Sequence, residues 1–140
     1  MTQAPEPEAI VVGFLTTAIP DVPCSTDLPD NFGGDGVDDP QSYIWVNALP
    51  GNVALVTWGG PVVCWDVALD IDCFGPTRED AVNLSRQCVD ALPGLQNQSS
   101  EFGQVTRVRV STFSPRPDWN EKIRRYGSTM SMYVRPATAG

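Results

Sequence analysis

The sequence predicts an α+β domain: a mostly antiparallel β-sheet with two α-helices packed on one face. Three observations carry this expectation. Several segments alternate apolar and polar residues with a period of two, the signature of strands that bury one face. Two other segments space their apolar residues at helical intervals between a start and a stop signal. The segments follow one another as helix, strands, helix, strands, and one-sided strands favour an antiparallel sheet with helices on one side. At 140 residues the chain suits one domain, residues 1–140, with a single buried core.

The first helix is expected from Pro7 to about Ala18, because Pro is well placed in a first turn and Pro20 supplies the stop. Ile10, Val11, Phe14, Leu15 and Ala18 form its apolar stripe. The next stretch, "DVPCSTDLPDNFGGDGVDDPQS", is rich in Asp, Gly and Pro. It is read as one short extended piece at most, then a flexible acidic loop over about residues 27–42, ordered by a partner. "YIWVNAL" and "NVALVTW" are β-branched and aromatic, and "PGN" between them is expected to join two strands by a turn.

"VVCWDVALDIDCF" is the clearest strand. Trp65, Val67, Leu69, Ile71 and Cys73 alternate with Cys64, Asp66, Ala68, Asp70 and Asp72. "GPT" ends it, and Thr77 with Asp80 makes a capping-box pattern that opens a second helix. Ala81, Leu84, Cys88 and Leu92 mark the buried side of that helix, and Pro93-Gly94 marks its end. "VTRVRVSTF" sets Val108 and Val110 against Arg107 and Arg109. After "SPRPDWNEKIR", a loop with two prolines, "YGSTMSMYV" sets Tyr126, Met130, Met132 and Val134 against Thr129, Ser131 and Tyr133.

Asp66, Asp70 and Asp72 share a strand face because side chains two apart point the same way. A carboxylate row can hold Mg²⁺, but a metal-dependent hydrolase also needs groups that activate water or stabilise the leaving group. The chain has no histidine, and Lys122 stands in a loop without a companion motif. The row is therefore expected to be the solvated side of a strand, with no catalytic residue and no metal or other cofactor. Cys24, Cys64, Cys73 and Cys88 show no C-x-x-C spacing and are read as small buried hydrophobes rather than disulfides. Gly33-Gly34 and Gly59-Gly60 lack the spacing of a phosphate loop, and Ser85, Ser99 and Ser100 lack a base.

Hydrophobic residues make up 41% of the chain and charged residues 19%, an ordinary globular balance. Acids precede the first apolar segment where a secretory signal would carry Lys or Arg, and no apolar run is long enough to cross a bilayer. A cytoplasmic product with no membrane partner is expected. The net charge of −8 hides a polarity. Arg107, Arg109, Arg116, Lys122, Arg124, Arg125 and Arg135 fall late, whereas Asp27, Asp30, Asp35, Asp38 and Asp39 crowd an early stretch. An acidic chain is a poor sequence-independent DNA binder, so stacking of single strands on Trp119, Tyr126 and Tyr133 is disfavoured. Separated acidic and basic surfaces suit subunits that meet head to tail. The candidate subunit-interface residues are Asp35, Asp38 and Asp39 on the acidic side, and Arg116, Lys122, Arg124 and Arg125 on the basic side, with Trp119 as an apolar anchor.

Three stretches together resemble the tail terminator proteins of long-tailed bacteriophages. "PEAIVVGFLTTAIPDV" is similar to the family's opening helix. "WDVALDIDCFGPTREDAVNLSRQCVDALPGL" is similar to its central strand, turn and second helix, and "VTRVRVSTFSPRPDWNEKIRRYGSTMSMYVRP" to its closing pair. The resemblance implies a non-enzymatic ring, typically hexameric, on the head-proximal end of the tail tube. Such a ring stops tube polymerisation and presents the docking surface for the head. It implies the tail tube protein and the head–tail connector proteins as partners, with genomic DNA passing through without specific binding. Asp66, Asp70 and Asp72 are then candidates to face the lumen. The acidic segment from Asp27 to Asp39 matches no fixed motif of that family. The near alternative is another head–tail joining protein; a metal-dependent nuclease and a ligand-binding module stand further off.

Overall fold

The computed structural model describes residues 6–27, 42–49, 53–56, 62–117 and 123–136. The elements run α1 (Pro7–Ala18), β1 (Cys24–Ser25), β2 (Tyr43–Ala48), β3 (Val53–Val56), β4 (Val62–Gly75), α2 (Arg78–Ala91), β5 (Ser99–Ser100), β6 (Gly103–Val110), β7 (Ser114–Pro115) and β8 (Arg124–Arg135). A 3-10 turn over Leu92–Leu95 follows α2. The strands form one sheet whose main path is β1-β2-β4-β8-β6-β5, with β3 also on β4 and β7 also on β8. Among the described residues only the β1–β2 pair is parallel. The architecture is the expected α+β one.

Two long strands organise this sheet. β4 has 14 residues and β8 has 12, and they pair antiparallel from Trp65↔Val134 to Gly75↔Arg124. Each is flanked on its other side by a strand broken into two pieces. β2 lies along the C-terminal half of β4 and β3 along its N-terminal half. β6 and then β7 run along β8 in the same manner.

The two strands expected in "YIWVNAL" and "NVALVTW" are present as β2 and β3, the "PGN" between them lies outside the described residues, and the two strands do not form a hairpin. Both β2 and β3 are antiparallel to β4, so they run in the same sense and do not pair with each other. Four residues, 49–52, separate partners that are only three positions apart on β4, Leu69 and Asp66.

Period-two alternation then decides what is buried. Val67, Leu69, Ile71 and Cys73 of β4 are at most 1% exposed, and Met130, Met132 and Val134 of β8 at most 2%. They meet Ile10, Val11 and Leu15 of α1 and Leu84 and Cys88 of α2 in one core. Both helices therefore cover the same face. Ala18, expected on the α1 stripe, is exposed, and Ile19 after the helix is buried instead. α2 opens as expected: the Thr77 hydroxyl oxygen accepts from the Asp80 amide at 3.2 Å and donates to its carboxylate at 2.9 Å.

Gly75 sits where β4 hands over to α2. A Cβ there would lie 2.7 Å from the Ala81 backbone nitrogen and 2.8 Å from the Asp80 Cβ. Neither atom can swing aside, so Gly75→Ala is expected to destabilise by about 1–2 kcal/mol through overpacking. A thermal melt indistinguishable from wild type would refute this.

The thiols behave as buried hydrophobes where the structure settles the matter. Cys73 and Cys88 are fully buried with their sulfurs 3.6 Å apart, and all four cysteines are free. Hydrogen bonding to Cys88, then burial, pushes the Cys73 thiol well above its ordinary value. Burial, then the neighbouring Cys88, pushes Cys24 up from 9.0 to about 12. Thiolates are the nucleophiles, so native protein at pH 8 is expected to alkylate at Cys24 and Cys73 only after denaturant is added. A folded pKa raised above the unfolded one stabilises below the unfolded value, and here that contribution is lost as pH rises from about 9 towards 12. Rapid native labelling at either cysteine, read by peptide mass, would contradict this.

Candidate functional site

The face of the sheet without helices carries the polar half of the alternation. On β4 this half comprises Asp66, Ala68, Asp70, Asp72 and Phe74. Register places Thr129, Gly127 and Arg125 of β8 beside Asp70, Asp72 and Phe74. On the other flank, Asn47, Trp45 and Tyr43 of β2 stand beside the same three residues. Arg107 and Arg109 of β6 extend the face past β8, where both are exposed.

Aspartates and arginines interlock at one end of this face. The two Arg116 Nη atoms donate to Asp72 Oδ1 at 2.9 Å and to Asp70 Oδ1 at 3.2 Å. The Arg125 Nη2 donates to the second Asp72 oxygen at 2.9 Å, and the Thr129 hydroxyl donates to Asp70 at 2.9 Å. The Arg125 guanidinium also lies 5.9 Å from the centre of the Trp45 ring and 5.8 Å from that of Phe74, within cation–π range. Beneath it, Tyr43, Phe74 and Ile123 form a second small core.

Gly127 makes the arrangement possible. A side chain there would run into Asp72 Oδ1 and into Nε and Cδ of Arg116. Arg116 arrives by backbone pairing: β7 bonds to β8, and the Arg116 amide donates to the Arg125 carbonyl at 3.0 Å. The 111–113 break before β7 is held in turn by the Ser128 hydroxyl, which donates to the Ser111 carbonyl at 2.7 Å.

One expectation needs correction. Asp66, Asp70 and Asp72 do share a face, but the row is not uniformly wet. The Asp72 side chain is 3% exposed and that of Asp70 27%. Two arginines have replaced water around Asp72, satisfying both of its oxygens, as a buried carboxylate requires. Asp66 is half-buried and has no ion-pair partner among the described residues. Of the basic candidates, Arg116 and Arg125 are 24% and 17% exposed and pair within their own chain. Arg124 is exposed. Asp35, Asp38, Asp39, Trp119 and Lys122 lie outside the described residues, as does most of the acidic loop.

Beside the cluster opens a cleft of about 440 Å³ lined by Arg78, Pro115, Arg116, Arg124, Arg125 and Tyr126. Arg78, the first residue of α2, donates from Nε to the Tyr126 hydroxyl at 2.8 Å. The roles of Arg78, Gly127 and the second core escaped the sequence reading. Two signals pointed to them. Phe74 is a large apolar residue at a position where alternation demands a polar one, and Gly127 interrupts a strand where glycine marks close approach.

Among the described residues no group of three or more His, Cys, Asp or Glu side chains is placed to hold a metal ion. What the site can do is hold charge in a fixed geometry and present guanidinium groups at a cleft.

No protein-family model matches the chain, and no curated protein matches it in sequence. Among solved structures it is similar to a chain of the virion of a native gene transfer agent particle. The TM-score is 0.57 at 12% sequence identity, covering 86% of this chain and 84% of that chain. At that identity the likeness is one of fold, extending over nearly the whole of both chains.

Proposed function

We propose that this chain is a structural protein of a phage-like particle, a tail terminator that forms a ring on the head-proximal end of the tail tube. Six copies is the number typical of the family it resembles. In this reading the ring stops tube polymerisation and forms the docking surface for the head connector, while genomic DNA passes through its lumen. The fold likeness to a virion chain across 84% of that chain carries the reading. It agrees with the sequence resemblance, which rests on different observations.

A non-enzymatic role is part of the proposal. Asp70 and Asp72, the best candidates for a metal, already hold guanidinium groups that a metal would have to displace. We expect no Mg²⁺-dependent turnover of DNA or RNA. Turnover that disappeared in Asp70→Ala would overturn this. The lumen assignment of Asp66, Asp70 and Asp72 is kept as a proposal, with Asp72 acting through the arginines it holds because its own carboxylate is buried. Paired with Asp70 and Asp72, the guanidiniums of Arg116 and Arg125 would hold passing phosphates less than unpaired ones.

The test is negative-stain electron microscopy of the chain mixed with its polymerising tube protein. Rings seated on one end of each tube, with shorter tubes as the chain is titrated in, are the expected result. Tubes of unchanged length with bare ends would reject the terminator reading. Rings that bind the connector but never the tube would favour another head–tail joining protein.

A further inference from the structure

We infer that the outer edge of β6 is a strand-addition site that takes an extended segment of a partner protein in which Asp or Glu alternate with large apolar residues. The inference stands apart from the ring reading, because it needs only this edge and the groups around it.

Backbone geometry opens this edge. On its side away from β8, β6 is covered by β5 at Gly103 and Gln104 alone. The turn before β5 extends the cover by one residue. There the Asn97 amide donates to the Val105 carbonyl at 2.8 Å, and the Val105 amide donates to the Gln98 carbonyl at 2.9 Å. Past the irregularity between Val105 and Arg107, no described strand lies outside β6. The Val108 amide points away from β8, since it donates to the Gln96 side-chain oxygen at 3.3 Å. Outward groups recur every second residue of an antiparallel strand. The Val110 N–H and C=O therefore point outward too, and neither has a partner among the described residues. Unpaired groups on an exposed edge are a template for another strand.

The two sides of the edge define the occupant. On the helix-free side stand Arg107 and Arg109, both exposed and without an ion pair or hydrogen bond among the described residues. Their cross-strand neighbours, Tyr133 and Ser131, carry no charge to answer them. On the helix side Val108 and Val110 are half-buried against the main core. Two residues past β6, at Thr112 and Phe113, opens a cleft of about 390 Å³ whose walls include Val82, Val89 and Tyr126. Phe113 belongs to the main core and Val89 packs on it, so this cleft is on the helix side as well. Successive side chains of an added strand point to opposite faces. One set would meet Arg107 and Arg109, where carboxylates are the complement. The other set would cover Val108, Val110 and the mouth of the cleft, which calls for large apolar groups. Arginines on an open edge also repel basic strands and a second copy of the same edge, so the charge that protects the edge also gives it specificity. Nucleic acid is the poorer occupant: it has no peptide groups to extend the ladder, and a chain of net charge −8 repels phosphate.

The test uses the full chain and a short fluorescent peptide in which Glu alternates with Val and Phe, with a second peptide carrying Lys in place of Glu. Fluorescence anisotropy is expected to show saturable binding of the Glu peptide, at least about tenfold tighter than of the Lys peptide. Arg107→Glu combined with Arg109→Glu is expected to reverse that preference. Val110→Pro removes an outward N–H, which an edge strand tolerates, and is expected to weaken the Glu peptide by about tenfold as well. Circular dichroism checks that both variants fold as wild type does. Amide exchange on the wild type needs no variant: the Val110 amide is expected to gain protection when the Glu peptide is added. Absence of saturable binding, equal affinity for the two peptides, or unchanged exchange at Val110 would overturn the inference. Self-association in sedimentation velocity that Val110→Pro abolishes and the peptide leaves untouched would also overturn it, by giving the edge to a second copy. A single-stranded DNA that binds through Arg107 and Arg109 and excludes the peptide would overturn it in favour of nucleic acid.

Discussion

Asp72→Ala is expected to lower the stability of the fold by about 3–5 kcal/mol, the usual penalty for stripping the partner from a buried ion pair. Asp72 binds both arginines of the cluster and is 3% exposed in its side chain. Without it, Arg125, 17% exposed, keeps its charge over two aromatic rings with no carboxylate of Asp72 to answer it. The Asp70 oxygen left for Arg116 lies at the longer distance, 3.2 Å. A buried pair is not in itself strong evidence of stabilisation, because desolvation opposes the Coulombic gain. The double variant Asp72→Leu with Arg125→Met is therefore expected to recover most of the loss. Urea unfolding of both variants checks this. An Asp72→Ala midpoint within error of wild type would show that the cluster contributes nothing.

Gly127→Val should be nearly as damaging, at about 3 kcal/mol, the upper end of what overpacking alone causes. The new side chain would occupy the volume of Asp72 Oδ1 and the Arg116 guanidinium root. The least costly escape expels Arg116, breaking its bonds to Asp70 and Asp72 and lifting β7 from β8. Amide exchange distinguishes this route from general destabilisation. The Arg116 amide, bonded to the Arg125 carbonyl at 3.0 Å, is expected to lose protection, while the β4–β8 ladder around Leu69 and Met130 keeps it. Uniform loss across both regions would mean that Gly127 acts on the whole sheet instead.

These two residues also mark how far the sequence could be read. β4, β8 and both helices were legible because each is long and carries its own period, so local pattern and tertiary outcome agree. Thr77 and Asp80 announced the start of α2 for the same reason: a helix cap is made from residues three apart. The shorter elements were not legible in this way. β2 and β3 each look like half of a hairpin, and only their common partner β4 shows that they run in one direction. β7 has two residues and no pattern at all.

By itself, then, the sequence determined the secondary structure of the long elements, the identity of the buried face and the helix-to-strand order. It also placed three aspartates together on one face of β4, because alternation along a strand is a purely local property. The environment of those aspartates was decided by tertiary structure alone. Asp72 and Arg116 are 44 residues apart and Asp72 and Arg125 are 53, and no local pattern encodes a meeting across such a separation. Whether a polar strand face is wet depends on what the chain later lays over it. Here β7 delivers Arg116 across the bare backbone of Gly127, and Asp72, in a row that reads as solvated, is buried in an ion cluster at the edge of an arginine-lined cleft.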